Sequence, residues 1–404
     1  MRNHYDVVVV GASSAGLAAV EKARKRRPEA TIACFSEEPE ALYYRPMLTE
    51  LMGSLAVREK PAFTLKKPEW FDEQGIDLFL GTEVTALDTA ARTLTTRDGA
   101  TCTWGACVLA TGSVPFVPLP AALGLPGVFT CRSLADALRI HEASRAARRC
   151  VVIGGGLLGL EAAHFLNNGE RKITVVELMP RILPRQLDEA VSAWYAARIA
   201  AAGVELKLGT QVKEVRAVDG GLVVDTGSAE LPADVVLFSI GVRPRAELAR
   251  QAGLTVNRGV VVDGHLQTSA PGVFACGDAA EVGGQVLALW MPAMRMGQVA
   301  GHNAVAGPEL SFTPTLPPAA LAAFSTRIFS VGQLERGDGL ERRAGDDTGV
   351  RLYFEDGVLT GAVLWGDTAK GMALSRAIDQ KLELVVELEA LHLFDAATER
   401  RLTA

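Results

Sequence analysis

The run Cys150-Val151-Val152-Ile153-Gly154-Gly155-Gly156-Leu157-Leu158-Gly159 decides how the chain is read. Its apolar, mostly β-branched start forms a buried strand, and Gly154-x-Gly156-x-x-Gly159 turns that strand into a helix running from Leu160 to about Asn167. A helix N-terminus exposes unpaired N–H groups and a partial positive charge, so a diphosphate can settle there when no side chain blocks the backbone. The next apolar run, Lys172-Ile173-Thr174-Val175-Val176, ends at Glu177, where a dinucleotide-binding unit places its ribose acceptor. Gly154, Gly156, Leu157, Gly159 and Glu177 are therefore candidate cofactor contacts. A carboxylate at 177 accepts from a free ribose 2′-hydroxyl and repels a 2′-phosphate, which favours NADH over NADPH. Arg181 and Arg185 just downstream are the residues that would argue otherwise.

Towards the N-terminus the same plan occurs again. Tyr5-Asp6-Val7-Val8-Val9-Val10 leads into Gly11-Ala12-Ser13-Ser14-Ala15-Gly16 and a helix opening at Leu17, with Ser13 in place of the middle glycine. The two units start roughly 140 residues apart, so one chain carries two nucleotide folds. The second strand of this unit, Thr31 to Phe35, ends at Ser36-Glu37-Glu38, and Glu37 is taken as the ribose acceptor. After each unit, alternating stretches such as Glu83–Leu87 and Gln211–Val215 read as strands of small sheets laid across each nucleotide domain. From Pro314-Thr315-Leu316-Pro317-Pro318 the character changes to hairpin-like runs and then an amphipathic helix from about Lys370 to Lys381. The apolar face of that helix, with Met372, Leu374, Ala377 and Ile378, reads as core rather than as a dimer surface.

With 404 residues, 49% of them hydrophobic and 22% charged, the chain is long enough for two or three packed cores, which excludes a disordered or disulfide-stapled scaffold. The formal charge of −6 leaves no basic excess for a nucleic-acid partner. The six cysteines include no C-x-x-C pair and no zinc spacing, so they read as buried reduced thiols and no metal is expected. There is no signal-peptide pattern and no unbroken apolar run of membrane length, so the expected location is the cytoplasm.

Val108-Leu109-Ala110-Thr111-Gly112-Ser113 and Val273-Phe274-Ala275-Cys276-Gly277-Asp278-Ala279 complete a pattern with the two glycine units. Together they resemble the two-dinucleotide-binding-domain flavoproteins of the pyridine nucleotide-disulfide oxidoreductase fold, specifically the NADH-dependent rubredoxin and ferredoxin reductases. The resemblance implies an α/β chain with two Rossmann-like domains and a C-terminal α+β interface domain. The FAD-binding domain would be discontinuous, over 1–112 and 241–316, with the NADH-binding domain over 113–240 and the interface domain over 317–404. It further implies that Gly11, Ser13, Ser14, Ala15 and Gly16 cradle the FAD diphosphate, that Glu37 holds the adenosine ribose and that the Val84 backbone meets the adenine. Ala110-Thr111-Gly112 would be the crossover out of the FAD domain, and Asp278 the acceptor of a ribityl hydroxyl. Arg45 and Pro46 would pass the flavin ring, with Trp290 either approaching its pyrimidine side or filling core. Glu161 would reach the nicotinamide carboxamide, and Gly241 opens the loop bordering the nicotinamide.

The implied chemistry is hydride transfer from NADH to flavin N5, which asks for positioning and for no dedicated acid or base. Arg45 stands where disulfide-using relatives keep a redox cysteine, and Ser14 where flavin peroxidases keep a histidine, so thiol and peroxide chemistry are disfavoured. Met47-Leu48-Thr49-Glu50 also lacks the lysine that many ferredoxin reductases keep near the flavin, which favours the rubredoxin-reductase branch. A thiol-free flavin suits a small iron–sulfur protein such as rubredoxin or ferredoxin. Such partners are typically acidic, and Arg45, Arg295, Arg327, Arg342 and Arg343 are candidates for a positive docking surface. Three alternatives stay open: an NADH oxidase forming hydrogen peroxide or reducing small molecules, a redox sensor without turnover, and an electron-input subunit of a larger complex. The chain is expected as a monomer or homodimer.

Overall fold

The valine run after Tyr5 is buried on both faces, as strands in the middle of a parallel sheet must be. In the computed structural model it is the strand His4–Val10, flanked by Ile32–Phe35 and Thr101–Leu109, with Ile76–Phe79 beyond Ile32–Phe35. The structure describes every residue except 41, 316–317, 335–337, 382–383, 388–391 and 396–404, with the backbone alone at 338, 384–387 and 392–395. The domain boundary expected at 317 lies outside the described residues.

Thr101–Leu109 does more than the sequence reading anticipated. Its first residues pair antiparallel with Thr93–Thr96, and its last pair parallel with Val273–Ala275 on the same edge. The stretch containing Val84 is thus part of the main seven-stranded sheet rather than a separate layer laid across it. One nine-residue strand is long enough to serve both partners. Val273–Ala275 returns to this sheet from far along the chain, which closes the first unit around the second.

The second unit is a five-stranded parallel sheet ordered Val128–Thr130, Val235–Phe238, Arg149–Ile153, Lys172–Val176, Val204–Lys207. A three-stranded antiparallel sheet packs Val215, Leu222 and Val224 against Val151 and Ile153. Its first strand is Glu214–Val218, three residues later than expected. The Asp219-Gly220 turn, with Val218 paired to Gly221, pins where that strand must end. The C-terminal region is a five-stranded antiparallel sheet, Ala319–Ala323, Thr326–Gly332, Val358–Trp365, Gly349–Glu355, Asp338–Arg343, covered by the helix Gly371–Asp379. Leu374 and Ala377 of that helix are in the core with Ile378 packed against it, while Met372 is exposed.

Two helices lock the first unit. Ser14–Arg26 and Trp290–Ala306 cross so closely that a Cβ on Gly297 would fall 2.1 Å from the Ala15 carbonyl oxygen, and one on Gly301 2.1 Å from that of Ala19. A glycine pair four residues apart on one helix meets an alanine pair four apart on the other, and backbone lies on backbone. Among the described residues no helix is long and apolar enough to cross a membrane. Gly301→Val forces these helices apart and is expected to cost about 2 kcal/mol. Gly124→Ala, where an added Cβ meets nothing within 4 Å, should stay within about 0.5 kcal/mol of the parent. Urea unfolding of the two variants checks the contrast.

Candidate functional site

The two glycine loops share one backbone device. Gly11 sits at φ +109° with its missing Cβ 2.1 Å from the Ala110 carbonyl oxygen, and Gly154 at φ +118° with its own 2.3 Å from that of Ser239. Only glycine takes this conformation against a neighbouring strand. Gly16 and Gly159 complete the turn, each pressed on the carbonyl of its own first glycine. The helices begin at Ser14 and Leu157, three residues earlier than expected in each case, because Ser13 and Gly156 are already their N-cap positions. Neither has a side-chain cap, whereas Leu134–Ala146 is capped by Ser133 and Glu189–Ala201 by Asp188. The first-turn N–H groups of the two glycine-loop helices are left for an outside acceptor. Beside Gly156 there is open space, with nothing within 4 Å of where a Cβ would be; Leu157 next to it is half-buried.

Glu177 follows Val176, the residue in register with Ile153. Its Oε2 accepts the Gly155 N–H at 2.6 Å and its Oε1 the Met179 N–H at 2.8 Å, so it stands at the mouth of the loop. Arg181 folds back on the Pro184 carbonyl, and Arg185 is exposed. In the first unit the same register, Val10 with Phe35, puts Ser36 at the place of Glu177. Glu38 turns inward, accepting from the Tyr43 hydroxyl at 2.5 Å and pairing with Arg45. Glu37 remains at the surface, paired with Arg245. The turn leading to Val84 is tied to this segment by Gly81 N–H to the Glu38 carbonyl and Thr82 N–H to that of Ser36.

Between the two units Arg45 is the hub, with its side chain only 20% exposed. It donates to Ser13 Oγ at 2.9 Å and to the Arg132 carbonyl at 2.5 Å, besides its pairing with Glu38. That occupation corrects its inclusion among docking arginines, because its donors are spent inside the fold. Pro46 beside it is exposed. Asp278 Oδ2 accepts from Ser113 at 2.8 Å and from Arg132 at 2.9 Å, while its Oδ1 has no partner among the described residues. A carboxylate whose side chain is mostly covered but whose second oxygen is left open suits a hydroxyl donor. Arg132 is the residue that sequence reasoning missed. The only local signal is its place beside the Ser133-x-x-Asp136 capping box, since its guanidinium meets Asp278 across 146 positions. Trp290 opens its helix half-buried, edge-on to Tyr44 at 4.8 Å.

Ala110-Thr111-Gly112 leads into a neck in which Ser113–Pro115 pairs antiparallel with Val242–Pro244. Thr111 donates to the Arg245 carbonyl at 2.6 Å, and the exposed Gly241 accepts from the Phe116 N–H at 2.9 Å. Glu161 projects from the helix Leu157–Leu166, and its Oε2 accepts from the Thr49 hydroxyl at 3.1 Å. Burial pushes its carboxyl up to about 7, with the Thr49 bond opposing. The native chain therefore keeps a proton there that the unfolded chain releases near 4.5, so this group's contribution to stability falls as pH rises from about 4.5 through 7.

Arg295, Arg327 and Arg343 are exposed and Arg342 half-buried, with Arg343 paired to Glu341. Five cysteines are buried and Cys131 is partly so; burial pushes Cys34, Cys131 and Cys276 up to about 12. Such thiols are not nucleophiles at neutral pH.

Residues 5–297 match the pyridine nucleotide-disulphide oxidoreductase family, and residues 317–382 the rubredoxin NAD+ reductase C-terminal domain. A rubredoxin-NAD(+) reductase of Alcanivorax borkumensis is 30% identical over 96% of this chain and 99% of its own length. A nitrite reductase [NAD(P)H] of Bacillus subtilis is 29% identical over 94% of this chain, which spans only 48% of that protein. Among solved structures, a covalent putidaredoxin reductase–putidaredoxin complex aligns with a TM-score of 0.84 and 26% identity over 96% of this chain and 98% of the other. The paired glycine loops, their trailing carboxylates and the match over residues 5–297 lead to one conclusion, that the chain belongs to the pyridine nucleotide-disulphide oxidoreductase family.

Proposed function

We propose that this chain is a cytoplasmic FAD-dependent NADH:acceptor oxidoreductase that passes electrons to a small iron–sulfur protein such as rubredoxin or ferredoxin. The observation that carries the reading is the pair of uncapped glycine-loop helices, one following a central parallel strand of each unit, whose intervening ground holds Arg45, Asp278 and Glu161. Bound FAD supplies the ability to take two electrons from a dihydronicotinamide and to release them singly. The open Asp278 Oδ1 and the bare N-terminus of Ser14–Arg26 fit a flavin dinucleotide, and Arg45 holds the Ser13 loop in place for it. Glu37 and the Val84 backbone serve its adenosine end, with Trp290 at the other. The Gly154–Gly159 loop, Leu157, Glu177, Glu161 and Gly241 serve NADH. On this division the FAD-binding domain is 1–112 and 241–316, the NADH-binding domain 113–240, and the interface domain 317–404, with the Ser113–Pro115 and Val242–Pro244 pair as the crossing point.

The partner assignment is supported by the iron–sulfur proteins in the names of the relatives and by high, buried thiols that leave no disulfide route. A second reading, an input module for a larger assembly, is favoured by the match to half of the nitrite reductase. Anaerobic stopped-flow absorbance decides between them. Fast bleaching by NADH followed by fast reoxidation with rubredoxin supports the first, and slow reoxidation by rubredoxin, ferredoxin and air supports the second. Protein purified without flavin overturns both.

Asp278→Ala removes the open acceptor together with the Ser113 and Arg132 contacts, and flavin affinity should fall about ten- to a hundredfold, read from retained flavin after gel filtration. Glu177→Gln should weaken NADH binding about tenfold and narrow the gap to NADPH, since the repelling charge is gone. Fluorescence titration with each nucleotide checks this.

A further inference from the structure

The short helix Leu48–Gly53 lies directly on the helix Leu157–Leu166. A Cβ on Gly53 would come within 2.5 Å of the Phe165 carbonyl oxygen, so the two backbones are in contact. At this crossing Thr49, 6% exposed, turns inward and its hydroxyl donates to Glu161 Oε2 at 3.1 Å, with the Pro46 carbonyl 3.4 Å from Thr49 Oγ1 as its other acceptor. Glu50, the next residue, turns outward and pairs with Lys60. Among the described residues no lysine, arginine or histidine pairs with the Glu161 carboxyl. A mostly buried carboxyl faced by a single neutral donor keeps its proton well above the usual carboxylate range, because burial penalises the charged form and a hydroxyl returns only part of that cost.

We propose that Thr49 is the positioning residue of Glu161, fixing across the interface between the two units the orientation of a side chain whose burial, with no cation facing it, leaves it a neutral carboxylic acid. What that acid meets rests on the functional reading above. A protonated carboxyl offers one O–H donor and one carbonyl acceptor side by side, the complement of a primary carboxamide, which offers an acceptor and a donor. An ionised carboxylate offers acceptors only and keeps half of that match. Burial keeps the proton on, against the pull of the Thr49 bond, while the Thr49 hydroxyl, by occupying one lone pair of Oε2, fixes which way the group faces and leaves the rest of it free.

The other groups around Glu161 do not displace this assignment. Tyr195, on the helix Glu189–Ala201, is raised by burial and by the Glu161 charge, and its hydroxyl donates to the Ala323 carbonyl at 3.1 Å. His164, one turn on in the same helix, is pushed towards its neutral form by burial, and its Nδ1 lies 3.4 Å from the Phe324 N–H. On Leu48–Gly53 the remaining charge is Glu50, already paired.

Two measurements test the proposal on the full-length protein. Infrared titration of the carboxylic acid C=O band, as the difference between parent and Glu161→Gln, reports when Glu161 loses its proton. NADH dissociation constants from fluorescence, taken across the same pH range, report what that costs. The parent should titrate near neutral pH, with affinity falling above the midpoint. Thr49→Val, matched in shape, should move the midpoint up by about one pH unit and weaken NADH severalfold below it, since the donor that steadies the carboxyl is gone. Thr49→Ser should restore both. An unmoved midpoint in Thr49→Val overturns the proposal, as does weaker binding with no change in the pH profile, which is what loose packing alone produces. If the midpoint moves as expected but the parent binds no NADH at any pH, the positioning role stands and the functional reading above falls.

Discussion

Everything in the site hangs on a backbone contact that a single methyl group would prevent. Gly11 lies on the carbonyl of Ala110, and Gly154 on that of Ser239, each at a positive φ. The contact lets the chain leave a central strand and start a helix at once over the sheet, so the first-turn N–H groups face outward above the strand ends. In parallel sheets this is where ligands gather. Glu177 stands beside those N–H groups for the same reason, because adjacent parallel strands finish at the same edge, while in the first unit Ser36 holds that place and Glu37 lies one residue on, at the surface.

The second constraint is how the two units meet. The chain crosses between them through an antiparallel pair of short strands, and the ground beyond is filled by charges that satisfy one another: Arg45 with Glu38, Arg132 with Asp278. Buried ion pairs of this sort add little net stability against apolar substitutes, but removing one partner strands the other. They fix geometry. Arg45 ties the Ser13 loop to the segment before Leu134, so the glycine turn of one unit and the first helix of the other hold a common position.

The family carries a disulphide in its name, and this chain builds the corresponding region without one. Arg45, at the position where the resemblance puts a redox cysteine in disulfide-using relatives, is a guanidinium hub, and the cysteines the chain does have lie in strands and loops with their thiols held protonated by burial. Glu161 follows a similar economy of charge: no cation faces it among the described residues, and Thr49 does instead. On the function proposed above, these groups position and do not react.

What rests on local chemistry can be read from the residues in order. Glycine spacing after a β-branched run specifies a tight turn from strand to helix, since the need for positive φ and a missing Cβ is met by glycine alone, and both units and their helices were legible for that reason. The Gly297 and Gly301 spacing was equally present but silent, because a small-residue pair says that something comes close without saying what. Tertiary structure alone decided the rest. Arg45 reads as a surface cation until its partners at 13, 38 and 132 are brought round it; Arg132 carries no signal until Asp278 arrives from 146 positions away; and the strand Thr101–Leu109 shows its double pairing only when Val273–Ala275 returns to its edge. Hydrogen bonds and ion pairs reach only a few ångströms, so a residue's charge is written in the sequence, but its partner is chosen by the fold.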